Sequence, residues 1–191
     1  ITHALAGRMP FPSLWNTSRM VLLTEWQPQK NNWKHRPLAI GTAWYRFIGK
    51  AALAMLGDSV GRKLAPCQLA VGISDGISIG AKLLQHLRNV PENVILSLDI
   101  SNAFNSLRRN RILEGLCQYA PSLIPFYKWS YSTPTQVRSG DGSLCCNAET
   151  GTRQGDPLSM LFFSVGIHKR ILQLSERCLL YTSDAADESR G

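Results

Sequence analysis

Residues 150–159, TGTRQGDPLS, stand immediately before the longest helical pattern in the sequence. The apolar residues at the spacing of one helix face are Leu158, Leu161, Phe162, Val165 and Leu172. Glycines free the backbone of this segment, and a proline at position 157 suits a first helical turn. The segment therefore predicts a loop that presents the amide of Gln154 to a ligand at the start of a long helix. It is not a P-loop, because the GxxxxGK[ST] pattern is absent.

Upstream of this loop, strand and helix patterns follow one another without strict alternation. The predicted strands are residues 21–23, 37–40, 94–99, 136–138 and 143–145. The predicted helices are residues 43–57, residues 77–87, a helix from residue 107 that stops before Pro121, and residues 158–172. A polar loop, residues 27–35, separates the first two strands, and SGDG at residues 139–142 predicts a hairpin turn between the last two. This mixture predicts an α+β fold rather than a doubly wound sheet.

Basic residues are concentrated between residues 30 and 63. This stretch has seven of them against one acid, a local charge of +6, and the whole chain carries +8. The aromatic residues interleaved with these cations are Trp33, Trp44, Tyr45 and Phe47. Cations displace the counterions condensed on phosphate backbones and aromatic rings stack on bases, so the stretch suits nucleic acid. A solvated basic face with aromatic residues in the core is the other interpretation.

Composition excludes several classes of protein. No run of about 18 apolar residues exists, so the sequence predicts no transmembrane helix and no membrane partner. The chain starts at Ile1 without a signal-peptide pattern, which favours an internal fragment of a nuclear or cytoplasmic protein that is not secreted. Five cysteines without a C-x-x-C pair predict free thiols in a reducing compartment, rather than a disulfide framework or a zinc site.

The tail of the chain differs from the rest. Residues 178–188, CLLYTSDAADE, match an in-frame translation of a transposase adapter used for sequencing libraries. We therefore interpret residues 178–191 as an adapter artefact and assign no function to them. Without this tail, 20 basic and 10 acidic residues leave a charge of +10.

Two further arrangements suit phosphate chemistry. Asp99 ends an apolar strand pattern, where its carboxylate is placed to bind a hard cation such as Mg²⁺. The other interpretation is that Asp99 caps the following turn. Lys30 and Arg36 stand at two ends of a loop, where paired cations suit a triphosphate, although ordinary solvation also explains them.

Four segments resemble, in this order, the motifs of reverse transcriptases, most closely those of non-LTR retrotransposons. KNNWKHRPLAI at residues 30–40 is similar to the fingers motif of that family. QLAVGI at residues 68–73 is similar, less closely, to its Gln-x-Gly-Phe segment. LDISNAF at residues 98–104 resembles motif A, and RQGDPLS at residues 153–159 resembles motif B. The resemblance covers about residues 20–175.

The resemblance implies a right-hand polymerase, with fingers in residues 1–92 and a partial palm in residues 93–177. It implies RNA-directed DNA synthesis with an RNA template, a DNA primer and a dNTP as partners. Two Mg²⁺ ions would be the cofactors, with Asp99 as catalytic metal ligand and the carbonyl of Ile100 as a second ligand. The resemblance assigns nucleotide contacts to Lys30, Arg36, Ile100, Phe104 as the sugar gate, Gln154 and Gly155.

One family motif has no counterpart outside the tail. Reverse transcriptases have a Tyr/Phe-x-Asp-Asp turn after motif B, and the candidate here, residues 181–187, has separated acids and lies inside the adapter-like tail. This chain alone is therefore expected not to polymerise. Two other functions stay open: a non-catalytic nucleic-acid-binding module, which needs the basic face but not Asp99, and an inactive relic of a retroelement.

Overall fold

The computed structural model describes residues 2–95, 98 and 100–188. The strands are β1 (Thr17–Gln27), β2 (Asn32–Gly41), β3 (Thr135–Arg138) and β4 (Leu144–Ala148). The helices are α1 (Thr2–Leu5), α2 (Ala43–Leu64), α3 (Gly76–Arg88), α4 (Ala103–Ser106), α5 (Arg109–Tyr119), α6 (Ile124–Tyr131) and α7 (Ser159–Glu188). Short 3-10 turns cover Ser13–Asn16, Pro28–Lys30 and Pro121–Leu123. The predicted α+β class is confirmed.

The four strands form one mixed sheet in the order β2-β1-β3-β4. β1 pairs antiparallel with β2 and parallel with β3, and β3 pairs antiparallel with β4. The sheet therefore joins chain segments from both sides of residue 92, where the sequence placed the boundary between fingers and palm. The core packs α2, α5, α6 and α7 together around the fully buried side chains of Tyr45, Ile112, Leu116, Phe126 and Phe162.

The first hairpin is longer than its sequence pattern predicted. The predicted loop at residues 27–35 is wrong, because β1 and β2 continue through it and only residues 28–31 turn. Trp26 and Trp33 face each other across the ladder, with ring centroids 5.2 Å apart, and this aromatic pair favours continued strand pairing. Asn31 adopts the left-handed conformation, with φ +47°, that completes the tight turn.

Helix α2 continues past the glycine at which the sequence predicted its end. Gly57 and Gly61 lie inside the helix, and the returning chain at Val71 and Gly72 crosses directly over them. A Cβ atom on Gly61 would overlap the carbonyl oxygen of Val71, so glycine here permits close packing of backbone on backbone. These glycines therefore mark a crossing rather than a helix end.

The strand predicted at residues 94–99 is wrong in the part that the structure describes. Val94, Ile95 and Leu98 have no strand pairing, and their side chains are exposed, Val94 by 94%. A strand needs a neighbour for its backbone hydrogen bonds, and none of the described strands pairs with Val94, Ile95 or Leu98. Residues 96, 97 and 99 lie outside the described residues.

The other predicted elements are confirmed with shifted ends. α3, α5 and α7 occupy the predicted helical segments, and β3 and β4 form the predicted hairpin around residues 139–143. No helix among the described residues is long and apolar enough to cross a membrane. Among the cysteines whose side chains the structure describes, Cys67, Cys117, Cys145 and Cys146 are free thiols.

His168 couples the packing of α7 to pH. Its ring is buried and meets the ring of Tyr119 edge-on, with centroids 4.8 Å apart. No described residue forms a hydrogen bond with its Nδ1. Burial lowers the pKa of His168, because the charged imidazolium would lose its hydration.

This lowered pKa predicts a loss of stability in mild acid. The unfolded chain takes up the proton at about pH 6.5 and the folded chain only at lower pH, so the free energy of unfolding falls below about pH 6.5. The contribution is at most about 1.4 kcal/mol per pH unit. Urea denaturation at a series of pH values measures it. His168→Phe should flatten the profile, and the exposed-site control His86→Gln should not. Equal profiles for both variants would contradict the prediction.

Candidate functional site

A cavity of about 530 Å³ opens beside β2. Three separate segments form its walls: residues 34–37 of β2, residues 100–105, and the loop before α7. Four of the seven predicted site residues line it together, namely Arg36, Ile100, Phe104 and Gln154. The structure thus places residues from three distant sequence motifs around one space. Lys34 and His35, which the sequence analysis did not single out, line the same space.

The loop before α7 is attached to the edge of the sheet at Gln154. The backbone N–H of Ala39 on β2 donates to the carbonyl oxygen of Gln154 at 2.8 Å. Gly155 follows with φ +115°, and a Cβ atom there would lie 3.0 Å from the carbonyl oxygen of Ala39. Glycine is therefore required by both conformation and space. Gly155 fits the loop against β2 and is not one of the residues that line the cavity.

Behind Gln154, the buried carboxylate of Asp156 connects α2 and α6 to the turn that precedes α7. Its Oδ2 accepts hydrogen bonds from the hydroxyls of Tyr45 at 2.6 Å and Tyr131 at 2.7 Å, and its Oδ1 accepts one from the backbone N–H of Leu158 at 2.9 Å. Burial raises the pKa of both tyrosines well above the usual range, and the charge of Asp156 raises it further. Both hydroxyls therefore stay protonated and act as donors.

The side chain of Arg153 is buried next to this carboxylate. Its guanidinium carbon lies 5.0 Å from the ring centroid of Tyr45 and 4.4 Å from that of Tyr131, and its Nη2 donates to the carbonyl oxygen of Ser130. Burial lowers the pKa of Arg153, but the nearby Tyr45, Tyr131 and Asp156 together outweigh burial and leave that pKa raised. Arg153 therefore stays a cation between two aromatic rings and anchors the loop.

Arg109 anchors the neighbouring chain segments from the start of α5. Its guanidinium donates to the carbonyl oxygens of Ala148 at 2.8 Å, Tyr131 at 3.2 Å and Gly151 at 3.5 Å. These carbonyls end β4, end α6 and precede Arg153, respectively. One side chain thus fixes three segments that converge behind the cavity.

Phe104 is held in the wall of the cavity from two sides. Its ring lies 4.8 Å from the ring of Phe163 on α7, at an angle of 35°. Its carbonyl oxygen accepts a hydrogen bond from the backbone N–H of Thr152 at 2.7 Å. The hydroxyl of Thr150 donates to the neighbouring carbonyl of Asn105 at 2.9 Å. Residues 104 and 105 are therefore tied to the same loop that carries Gln154.

Arg36, in the wall of the cavity, already forms an ion pair with Glu25. Its Nη2 lies 3.2 Å from Oε2 of Glu25 on β1, and both side chains are at least half exposed. Exposed pairs of this kind contribute about 0–1 kcal/mol, so an anionic ligand can compete with Glu25 for the guanidinium. Lys30 ends the turn of the hairpin, and its side chain lies outside the described part of the chain.

The predicted metal site stays a prediction. Asp99 lies outside the described residues, and Ile100, the other predicted ligand, lines the cavity with 57% of its surface exposed. The described residues hold no group of three or more His, Cys, Asp or Glu side chains that could bind a metal ion. Carboxylate and carbonyl oxygens are the donors that Mg²⁺ prefers, so the predicted pair fits this ion in type.

Comparisons with known proteins leave the family open. A scan against protein-family models and a search of curated proteins both find no match for this chain. The resemblance to reverse transcriptases therefore stays a prediction from the four sequence motifs.

The hydrogen bonds to Asp156 predict an unequal cost for two tyrosine substitutions. Tyr45→Phe removes a donor to a buried carboxylate and should lower the free energy of unfolding by about 1.5–3 kcal/mol. The control Tyr127→Phe removes a 3.2 Å hydrogen bond to the neutral carbonyl of Arg109 and should cost about 0.5–1.5 kcal/mol. Urea denaturation measures both, and a loss at Tyr45 no larger than at Tyr127 would contradict the charged role of Asp156.

Proposed function

We propose that the cavity beside β2 binds a nucleoside triphosphate and that the chain is part of an RNA-directed DNA polymerase of the non-LTR retrotransposon type. The observation that carries the proposal is the convergence of Arg36, Ile100, Phe104 and Gln154 on one cavity. Three separate sequence motifs predicted these residues. Amino-acid composition alone gives no reason for residues from three motifs to line the same cavity. The proposal places the site of action in the nucleus or cytoplasm.

The chemistry of the walls supports this substrate. Arg36 and Lys34 supply cations for the phosphates on the β2 side, and the guanidinium suits two phosphate oxygens at once. Phe104 supplies a half-buried apolar surface for the sugar, and Gln154 supplies an amide from the opposite loop. Asp99 and the carbonyl of Ile100 would hold Mg²⁺, which, when bound, activates a primer hydroxyl and stabilises the leaving pyrophosphate.

The rival proposal is a nucleic-acid-binding module without catalysis. It is favoured by the basic charge of residues 30–63, which hold seven basic residues against one acid. Such a module would use the basic surface but would have no need of a nucleotide cavity. Nucleotide binding that depends on Mg²⁺ therefore separates the two functions.

The first test is nucleotide affinity. Arg36→Ala should raise the Kd for dATP with Mg²⁺ by about 10-fold or more, because a hydrogen bond to a charged group contributes about 1.5–3 kcal/mol. Titration calorimetry on the full chain measures it. The matched control is Arg111→Ala, since Arg111 is also exposed and paired, 2.8 Å from Glu114 on α5. Equal affinities for the two variants, or no binding by the wild type, would contradict the proposed function.

The second test is selection against ribonucleotides. If the ring of Phe104 packs against the sugar, Phe104→Ala should make room for a 2′-hydroxyl and bring the Kd for ATP closer to that for dATP. The relevant readout is the ratio of the Kd for ATP to the Kd for dATP, because general damage to the cavity would weaken the binding of both nucleotides equally. Phe47→Ala, on the exposed side of α2, serves as the control. An unchanged ratio in Phe104→Ala would remove Phe104 from the sugar contact.

A further inference from the structure

A second cavity, of about 430 Å³, opens between α5 and α7. Its volume lies within the range of about 300–1,000 Å³ that is usual for ligand pockets. The polar side chains in its walls are Arg111, Glu114 and Gln118 of α5 and Lys169 and Arg170 of α7. None of its described lining residues lines the cavity beside β2, so a ligand bound here would not occupy the proposed nucleotide site.

The floor of this cavity lies where the two helices cross. A Cβ atom on Gly115 would overlap the carbonyl oxygen of Val165, and one on Gly166 would lie 2.8 Å from Cδ2 of Leu107. Backbone therefore packs closely on backbone at the crossing, which only glycine permits. Gly115, Val165 and Gly166 line the cavity, so the floor at this point carries no side chain larger than valine. Such a floor suits an aliphatic side chain of a ligand.

The rim of the cavity is basic on its α7 side. Lys169 and Arg170 are exposed, and none of the described acids lies within ion-pair distance of either. Nη1 of Arg170 donates to the neutral amide oxygen of Gln173 at 2.9 Å. On the α5 side, Arg111 is neutralised by Glu114, with Nη1 and Oε2 2.8 Å apart. The two charges that are left to attract an anion are therefore those of α7.

The α5 wall has the length of a short peptide segment. Arg111, Glu114 and Gln118 lie three and four positions apart and so share one face of the helix. At about 1.5 Å of rise per residue, this row spans about 10 Å. An extended chain advances about 3.3 Å per residue, so about three residues of a bound peptide would cover the row.

The same wall distinguishes a peptide from other anions. Glu114, with 54% of its side chain exposed, stands between Arg111 and Gln118, where a continuous line of phosphates would meet a like charge. A peptide spaces its carboxylates and supplies backbone N–H donors, which the oxygens of Glu114 and Gln118 accept. A single small anion would contact the cations but leave most of the cavity unfilled. The walls therefore favour a peptide with separated acidic residues.

We propose that the cavity between α5 and α7 binds an acidic peptide segment of a partner protein. One aliphatic side chain of the peptide occupies the glycine floor, and the carboxylates on either side of it bind Lys169 and Arg170. This binding needs neither Mg²⁺ nor a nucleotide and uses none of the residues assigned to the polymerase function. The two proposals can therefore fail separately.

The test is fluorescence anisotropy of the full chain with a fluorescein-labelled octapeptide, Gly-Ser-Asp-Glu-Leu-Asp-Gly-Ser. Lys169→Gln with Arg170→Gln should raise the Kd about tenfold or more, a difference of about 1.4 kcal/mol. The matched control is Lys82→Gln with Arg88→Gln, which removes the same charge from exposed positions on α3 and should change the Kd much less. Two altered peptides complete the comparison, one with Asn and Gln in place of the acids and one with Ser in place of Leu. Both should bind more weakly than the parent peptide.

A second measurement locates the bound peptide. Cys117 is an exposed thiol that lines the cavity, so its alkylation by iodoacetamide reports whether the cavity is occupied. Saturating peptide should slow the alkylation of Cys117 and leave that of Cys145 and Cys146, on β4, unchanged. Mass spectrometry of the digested protein measures all three sites in one sample.

Several results would overturn the proposal. These are no binding of the parent peptide by the wild type, equal losses in the α7 variant and the α3 control, full affinity for the uncharged peptide, and unchanged alkylation of Cys117. Displacement of the peptide by equimolar inorganic phosphate would also overturn it, because the cations alone would then explain binding. An oligouridylate that displaces the peptide and protects Cys117 would identify the cavity as a nucleic-acid site instead.

Discussion

The buried carboxylate of Asp156 is the constraint on which the arrangement around the cavity depends. A carboxylate removed from water is stable only when its oxygens accept hydrogen bonds, and here the donors come from α2, from α6 and from Leu158, directly before α7. The hydrogen bonds to this one carboxylate hold α2, α6 and the turn before α7 together. The guanidinium of Arg153 lies against the rings of the two tyrosines that donate to this carboxylate, so the loop that carries Gln154 is anchored at both sides of Gly155. The hydrogen bonds that replace the lost hydration of Asp156 therefore hold in place the loop that forms one wall of the cavity.

Features that depend on neighbouring residues could be predicted from the sequence, and features that depend on distant contacts could not. The turn between β3 and β4 and the helices α3 and α7 follow local signals, and these predictions were confirmed. Gly57 predicted a helix end because glycine weakens an isolated helix, but α2 continues through it, and the chain at Gly72 packs directly against the backbone carbonyl of Gly57. The β-rich run predicted at residues 94–99 shows the converse at its described residues, Val94, Ile95 and Leu98, which have strand propensity but pair with no described strand.

The residues of the candidate site also fall into those that local motifs predict and those that depend on distant contacts. Arg36, Ile100, Phe104 and Gln154 were predicted because short motifs carry them, and the cavity contains all four. The anchors behind them were missed because their partners lie far away in sequence, 111 positions for Tyr45 with Asp156 and 39 for Arg109 with Ala148. An arginine and an aspartate either side of a Gln-Gly pair were visible in the sequence. No local pattern identified which tyrosines would surround them.

The parallel pairing of β1 with β3 has a consequence for the synthesis of this protein. β1 and β2 are joined by a short turn and pair as soon as both have left the ribosome, whereas β3 follows β1 by about 120 residues and pays a large loop-closure cost. At about 5–20 residues per second, ribosomes need on the order of 10 seconds to deliver it. During that interval the second edge of β1 is an open template for any extended chain nearby. When several ribosomes translate the same messenger RNA close together, the open edge of β1 would therefore favour mispaired dimers. A chaperone that shields this edge would raise the yield of folded protein.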